Sequence, residues 1–389
     1  MYYKINKLNS IENLKCLVLS SDEITNRKRE FLKEYSLINI EQIYTETNID
    51  EVDSHTAFLL KECGIDLDDK WNESLNSTQN RIDNLLDELD LVAEKLNKKD
   101  IKIVALKNAG IAKGIYKNSA CSPMGDIDLL VSVKDFRKAH EVLINELGYT
   151  FKFRSEFEEE DLEDAFRGGG TEYYKDVNGY KVWLELQWRP IAGRWIQPEN
   201  EPDGEELLKR SVEISDSKVR ILCPEDNLLQ VALHTAKHSY VRAPGFRLHS
   251  DVDRIVRYTK VNWERFLEQV IKLKLKTAVY FSLGFAKTLL KTPIPDEVLK
   301  KLKPNFIRGN IIKYFIAKAG IFNQTKKKFT KIGYIIFNMA LYDSLFLLLK
   351  SLLPSADNIK KLYGFDSNFK LPYYYLKRYA DLLFKRAKL

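Results

Sequence analysis

Gly125-Asp126-Ile127-Asp128-Leu129-Leu130-Val131 is the stretch on which the reading of this chain turns. In a strand, alternate side chains share a face, so Asp126 and Asp128 stand side by side while Ile127, Leu129 and Val131 point the other way. Two neighbouring aspartates repel unless solvated or bridged. A hard divalent cation such as Mg²⁺ or Mn²⁺ is a natural bridge through carboxylate oxygens. A strand-entry turn with two solvated acids explains the doublet equally well.

Upstream, Ile101–Leu106 is a short β-branched run that predicts a buried strand. A helix is expected to follow as far as Tyr116, with Asn108 as its N-cap. Backbone N–H groups at such a helix start suit phosphate, and Lys107 adds a positive charge. Earlier still, Ile82, Leu85, Leu86, Leu89, Val92 and Leu96 recur at helical spacing and predict a helix over Gln79–Leu96.

Downstream, a helix over Asp135–Leu147 and a strand over Tyr149–Phe153 are expected. Glu156–Asp164 then holds seven acids in nine residues and reads as a solvated loop or helix face. Gly168-Gly169-Gly170 reads as a flexible loop, because no lysine-bearing phosphate-loop motif surrounds it. Beyond it, Glu172–Val177, Asn178-Gly179 and Tyr180–Trp188 predict a hairpin with a type I′ turn. Glu185 lies among Trp183, Leu184 and Leu186, where an acid without a partner is costly. If this strand pairs beside the aspartate strand, Glu185 completes a three-carboxylate cluster, and such clusters hold two metals about 3.5–4 Å apart. An edge-strand acid facing water is the plainer alternative.

From Pro224 onward the pattern is helical. The outline is a helical region over 1–100, a small α/β core over 101–195 and a helical C-terminal domain over 196–389. Among 389 residues, 44% apolar and 30% charged, disorder and low-complexity classes are excluded. The net charge of +7 is unevenly spread, since residues 301–389 carry 18 Lys/Arg against four Asp/Glu. Lys326-Lys327-Lys328, and Lys377-Arg378 beside Tyr373-Tyr374-Tyr375, fit nucleic acid, an anionic membrane surface or a solvated basic face.

Cys16, Cys63, Cys121 and Cys223 have no metal-ligand spacing and read as reduced thiols. Ile332–Leu349 is long enough to span a membrane, but Asp343 near its middle would cost about 2.5–3.5 kcal/mol to insert. With no apolar signal core near Met1, a soluble cytoplasmic protein is expected. His234 and His238 share one helix face. A zinc site, a cleft role for His234 beside Lys237 and Asp251, and purely structural histidines all stay open.

The order Leu106-Lys107-Asn108, Tyr116, Gly125–Val131, Gly148-Tyr149 and Leu184-Glu185-Leu186-Gln187-Trp188 resembles the nucleotidyltransferase superfamily with a DNA polymerase beta-like core. More narrowly it resembles a bacterial family of uncharacterised nucleotidyltransferases. Leu233-His234 with Asp251, and Leu353-Pro354-Ser355, Tyr363-Gly364 and Tyr373–Arg378, extend the likeness to roughly 80–389. The resemblance implies an α+β fold, in which a small mixed-sheet core is flanked by helical regions. It also implies an enzyme that moves an NMP from an NTP, such as ATP, to an acceptor hydroxyl of a small or carrier-linked molecule, releasing pyrophosphate.

Asp126 and Asp128 would then ligate Mg²⁺ or Mn²⁺, with Glu185 completing the set and serving as general base. Lys107, Asn108, Gly125, His234 and Lys237 would line the nucleotide site. The chain departs from the family pattern at Asn108 (usually glycine), Ser122 (usually arginine) and Gln187 (usually histidine). These departures sustain one alternative, a catalytically inactive nucleotide-binding scaffold, and the basic C-terminal third sustains another, a tRNA- or RNA-modifying toxin-type transferase. No transmembrane span is expected, though the basic C-terminal end could touch a membrane peripherally.

Overall fold

A computed structural model describes residues 8–152, 169–190, 196, 200–215 and 217–381. Phe153, the acidic run Glu156–Asp164 and Gly168 lie outside these residues. The described chain forms a mixed seven-stranded sheet with helices before and after it. The strands are β1 (Ile103–Ala105), β2 (Asp126–Val131), β3 (Thr150–Lys152), β4 (Gly170–Val177), β5 (Tyr180–Gln187), β6 (Val212–Glu213) and β7 (Arg220–Ile221). Their spatial order is β3-β4-β5-β2-β1-β7-β6.

The hairpin forms where Asn178-Gly179 predicts it. Both turn residues have positive φ, 51° and 80°, which matches the twist of the paired strands. That turn sets the β4–β5 register and places Glu172 opposite Glu185. The aspartate strand β2 runs parallel to β5 and antiparallel to β1, at the centre of the sheet.

Period-two alternation assigns the two faces of β2. Ile127, Leu129 and Val131 enter a core with Ile82, Leu85 and Leu89 of the helix Asp69–Asn97. On the other face Leu130 packs with Val104, Leu207 and Leu222. The Asp69–Asn97 helix begins ten residues before the expected Gln79, because the Asp68 carboxylate accepts from the Trp71 N–H at 3.1 Å. Its first turns bury Trp71 and Leu75 in a second core, shared by the N-terminal helices and the helices after Pro224. The helix thus ties the sheet to the helical body.

The helix Lys107–Gly114 lies directly on β1. A Cβ at Gly110 would come within 2.5 Å of the Ala105 carbonyl oxygen, so only glycine permits this approach. The Ile332–Leu349 run is two helices, Lys331–Ala340 and Leu345–Leu352. Asp343 sits between them and accepts from the Lys276 N–H (2.6 Å), the Thr277 N–H (2.9 Å) and the Thr277 hydroxyl (2.6 Å). It therefore caps the helix Lys276–Leu290. No helix among the described residues is long and apolar enough to cross a membrane.

Candidate active site

Parallel pairing of β2 with β5 sets Asp126 beside Trp183 and Asp128 beside Glu185. Oxygens of Asp126, Asp128 and Glu185 lie within 4.8 Å of one another, forming the single three-residue group of potential metal ligands among the described residues. Asp128 is buried and Asp126 is exposed at the strand entry. The negative charge of Asp128, then partial desolvation at the strand entry, pushes the Asp126 carboxyl up to about 6, with Lys107 opposing the shift. All three groups offer hard oxygen donors, and their convergence of like charge matches a divalent cation.

Two donors already orient Asp128. The Lys107 ammonium and the Gln187 side-chain amide each reach its Oδ1 at 2.6 Å. The same ammonium is 3.7 Å from Glu185 Oε2. Gln187 thus donates to a cluster carboxylate. Lys107 has a left-handed φ of 50°, strained for a side chain with a Cβ. Its N–H donates to Gln230 Oε1 at 3.2 Å, and the Leu106 N–H donates to the Asp128 carbonyl at 2.9 Å. These bonds and the ion pair hold the turn.

Asn108 is not the N-cap. The left-handed turn at Lys107 starts the helix two residues earlier, with Leu106 at the cap position and no side-chain cap. Asn108 Nδ2 instead donates to the Pro123 carbonyl at 3.3 Å, tying the helix start to the loop before β2. Ser122 donates to the Asn118 carbonyl at 2.8 Å. Arginines still reach this loop from far along the chain. Arg247 donates to the Pro123 carbonyl and Arg254 to the Cys121 carbonyl.

A cleft of about 340 Å³ opens over the cluster, lined by Gly125, Asp126, Lys152, Glu172, Trp183 and Glu185. The Lys152 ammonium sits 4.7 Å from the centre of the Trp183 ring. Lys152, Glu172 and Trp183 are absent from the sequence-derived site. Glu172 could have been found there by counting back equally along both strands from the Asn178-Gly179 turn.

His234 is half-buried on the helix Pro224–Lys237, with its ring 4.9 Å from that of His238. Burial, then the charge of Lys107, keeps His234 well below the usual histidine range, so it is neutral near pH 7. Its Nδ1 is buried without a partner. Lys237 is exposed, and its charge lowers the Asp126 pKa. Asp251 does not join His234 and His238 in a metal group. It is buried 3.9 Å from Arg254, and burial raises it to about 6.

Residues 56–291 match a family model described as uncharacterised nucleotidyltransferase. A crystal structure of an antigenic nucleotidyltransferase-like protein from Paracoccidioides brasiliensis is similar at 18% identity. The likeness covers 56% of this chain and 93% of that one, with a TM-score of 0.35. No curated protein matches.

Proposed function

The chain belongs to the uncharacterised nucleotidyltransferase family, and on that premise we propose that it moves an NMP from an NTP to an acceptor hydroxyl of a small or carrier-linked molecule. The observation that carries this reading is the convergence of Asp126, Asp128 and Glu185 beside Lys107. Asp126, Asp128 and Glu185 would hold Mg²⁺ or Mn²⁺, which would supply charge stabilisation for the attacking and leaving oxygens. Glu185 takes the proton of the acceptor hydroxyl as its oxygen bonds the α-phosphorus. The bond from that phosphorus to the bridging oxygen breaks, and pyrophosphate leaves. Lys107 and the start of the Lys107–Gly114 helix meet the triphosphate charge. Gln187 fixes the rotamer of Asp128.

The test is pyrophosphate release from each NTP with Mg²⁺ or Mn²⁺, with cell extract as the source of acceptor. Release that disappears in Asp126→Ala/Asp128→Ala supports the transferase. Metal-dependent nucleotide binding with no release from any NTP would favour the inactive scaffold, for which the Lys107 ammonium seated on Asp128 already speaks.

A pH dependence follows from the raised Asp126 carboxyl. Without metal, the raised pKa contributes stability that is present below the unfolded-state carboxyl range and lost as pH rises through about 6. A cation binds the doubly ionised pair, so a proton competes with it below that pH. Mn²⁺ affinity is expected to fall about tenfold for each pH unit below 6, and the Mn²⁺-induced gain in Tm should shrink with it. Titration calorimetry between pH 5 and 7 checks this, and an affinity that does not change with pH would refute it.

A further inference from the structure

Away from the carboxylate cleft, a second cavity of about 370 Å³ is lined by Arg242, Gln324, Thr325, Lys326, Lys327 and Lys328. The Arg242 guanidinium carbon lies 4.7 Å from the centre of the Tyr334 ring. Both polar atoms of the Gln324 side chain are buried without a hydrogen-bond partner. Buried polar groups left open in this way call for a bound partner. Lys328 donates to the Gly320 and Phe322 carbonyls at 3.0 and 2.7 Å, just past the end of the helix Phe306–Ala319, which anchors the loop. The nearby acid, Asp50, is already paired with Lys15 at 2.8 Å. The cavity is therefore cationic, with a guanidinium fork and an amide available, as phosphate recognition requires.

The surroundings are apolar and exposed. Just past the cavity, Ile332 and Ile336 project one turn apart from the helix Lys331–Ala340, 68% and 40% exposed. The next helix, Leu345–Leu352, exposes Leu345, Phe346 and Leu349. Isolated apolar residues on a surface are ordinary. Runs of them on consecutive helices, in a segment with 18 Lys/Arg against four Asp/Glu, are not. Water alone does not cover such a surface favourably, and a purely acidic partner surface would meet the cations but not the isoleucine and phenylalanine faces. An anionic bilayer matches both properties, with lipid phosphates for the cations and the acyl boundary for the apolar faces.

We propose that this end of the molecule docks on anionic membrane surfaces, with a lipid phosphate held in the Arg242–Gln324–Lys326–Lys327 cavity and the 331–352 helices resting in the headgroup boundary. The proposal is independent of the nucleotidyl-transfer chemistry. Flotation of the full chain with phosphatidylcholine vesicles, with and without about 30% phosphatidylglycerol at roughly 0.15 M salt, tests it. Binding is expected to the anionic vesicles only. It should fall at least about tenfold in Lys326→Glu/Lys327→Glu, since each lysine near the surface contributes about 1 kcal/mol. A similar loss is expected in Phe346→Ser/Leu349→Ser. These side chains are exposed, so an unchanged Tm verifies that each variant is folded.

Three results would overturn the proposal. Equal binding to neutral vesicles is one. Saturable binding of phenyl phosphate without any vesicle binding would make the cavity a site for a soluble phosphoester. Self-association in sedimentation, lost in Phe346→Ser/Leu349→Ser, would make the apolar faces a contact between copies of this chain.

Discussion

Asp128→Asn is expected to lower NTP turnover by about 10³-fold while leaving the fold intact. Asparagine keeps the shape of the side chain and an acceptor oxygen for the Lys107 ammonium and the Gln187 amide, both 2.6 Å away in the wild type. What it loses is one negative charge at the position that all the proposed chemistry shares. A metal's stabilisation of the transition state amounts to several kcal/mol, and about 1.4 kcal/mol corresponds to tenfold in rate, hence the magnitude. A second readout separates this role from simple damage. The charge of Asp128 is the main cause of the raised Asp126 carboxyl, so the variant should return Asp126 toward the ordinary aspartate range. Carboxyl NMR titration reports this without any substrate. Unchanged turnover would remove Asp128 from the chemistry. Lost turnover with an unshifted Asp126 would mean that the two acids do not share a charge environment.

The core of this site was legible in sequence because its periodicity is local. Alternation along Asp126–Val131 places both aspartates on one face, and the Asn178-Gly179 turn sets the register that puts Glu172 opposite Glu185. The parallel pairing that brings Glu185 beside Asp128 joins strands more than fifty residues apart, and no local rule specifies it. The orientation of Lys107 was equally hidden. It depends on a left-handed backbone turn and on Gln230, a side chain from a helix far along the chain. Ser122 reads in sequence as a lost arginine, yet Arg247 reaches the neighbouring Pro123 carbonyl from the helical half. Hydropathy reads Ile332–Leu349 as a single apolar run. The structure instead uses Asp343 to cap a neighbouring helix, a role that depends on tertiary contact. Local rules carried β1 to β5 and the doublet but not β6 and β7, two-residue strands in a region read as helical, and long-range packing decided which charges meet.

Lys15→Met is expected to destabilise the folded chain by about 3–5 kcal/mol, a large fraction of the roughly 5–15 kcal/mol that a domain has in reserve. Lys15 is 1% exposed and pairs with the fully buried Asp50 at 2.8 Å. Its second partner, Glu46 at 2.9 Å, is partly exposed and can be solvated when the lysine is lost. Asp50 cannot, since it is fully buried and would keep the Gln324 N–H at 3.1 Å but no ion-pair partner within contact distance among the described residues. Most of the penalty therefore belongs to the stranded carboxylate and not to the lost attraction. Lys15→Met/Asp50→Leu removes both charges from the interior and should recover most of the stability, as burying apolar groups of similar volume often does. Urea unfolding of the wild type, the single and the double variant checks the pair. A double variant no more stable than Lys15→Met would place the cost in packing around Lys15, beside the Phe322 ring 5.7 Å away, and not in the uncompensated charge.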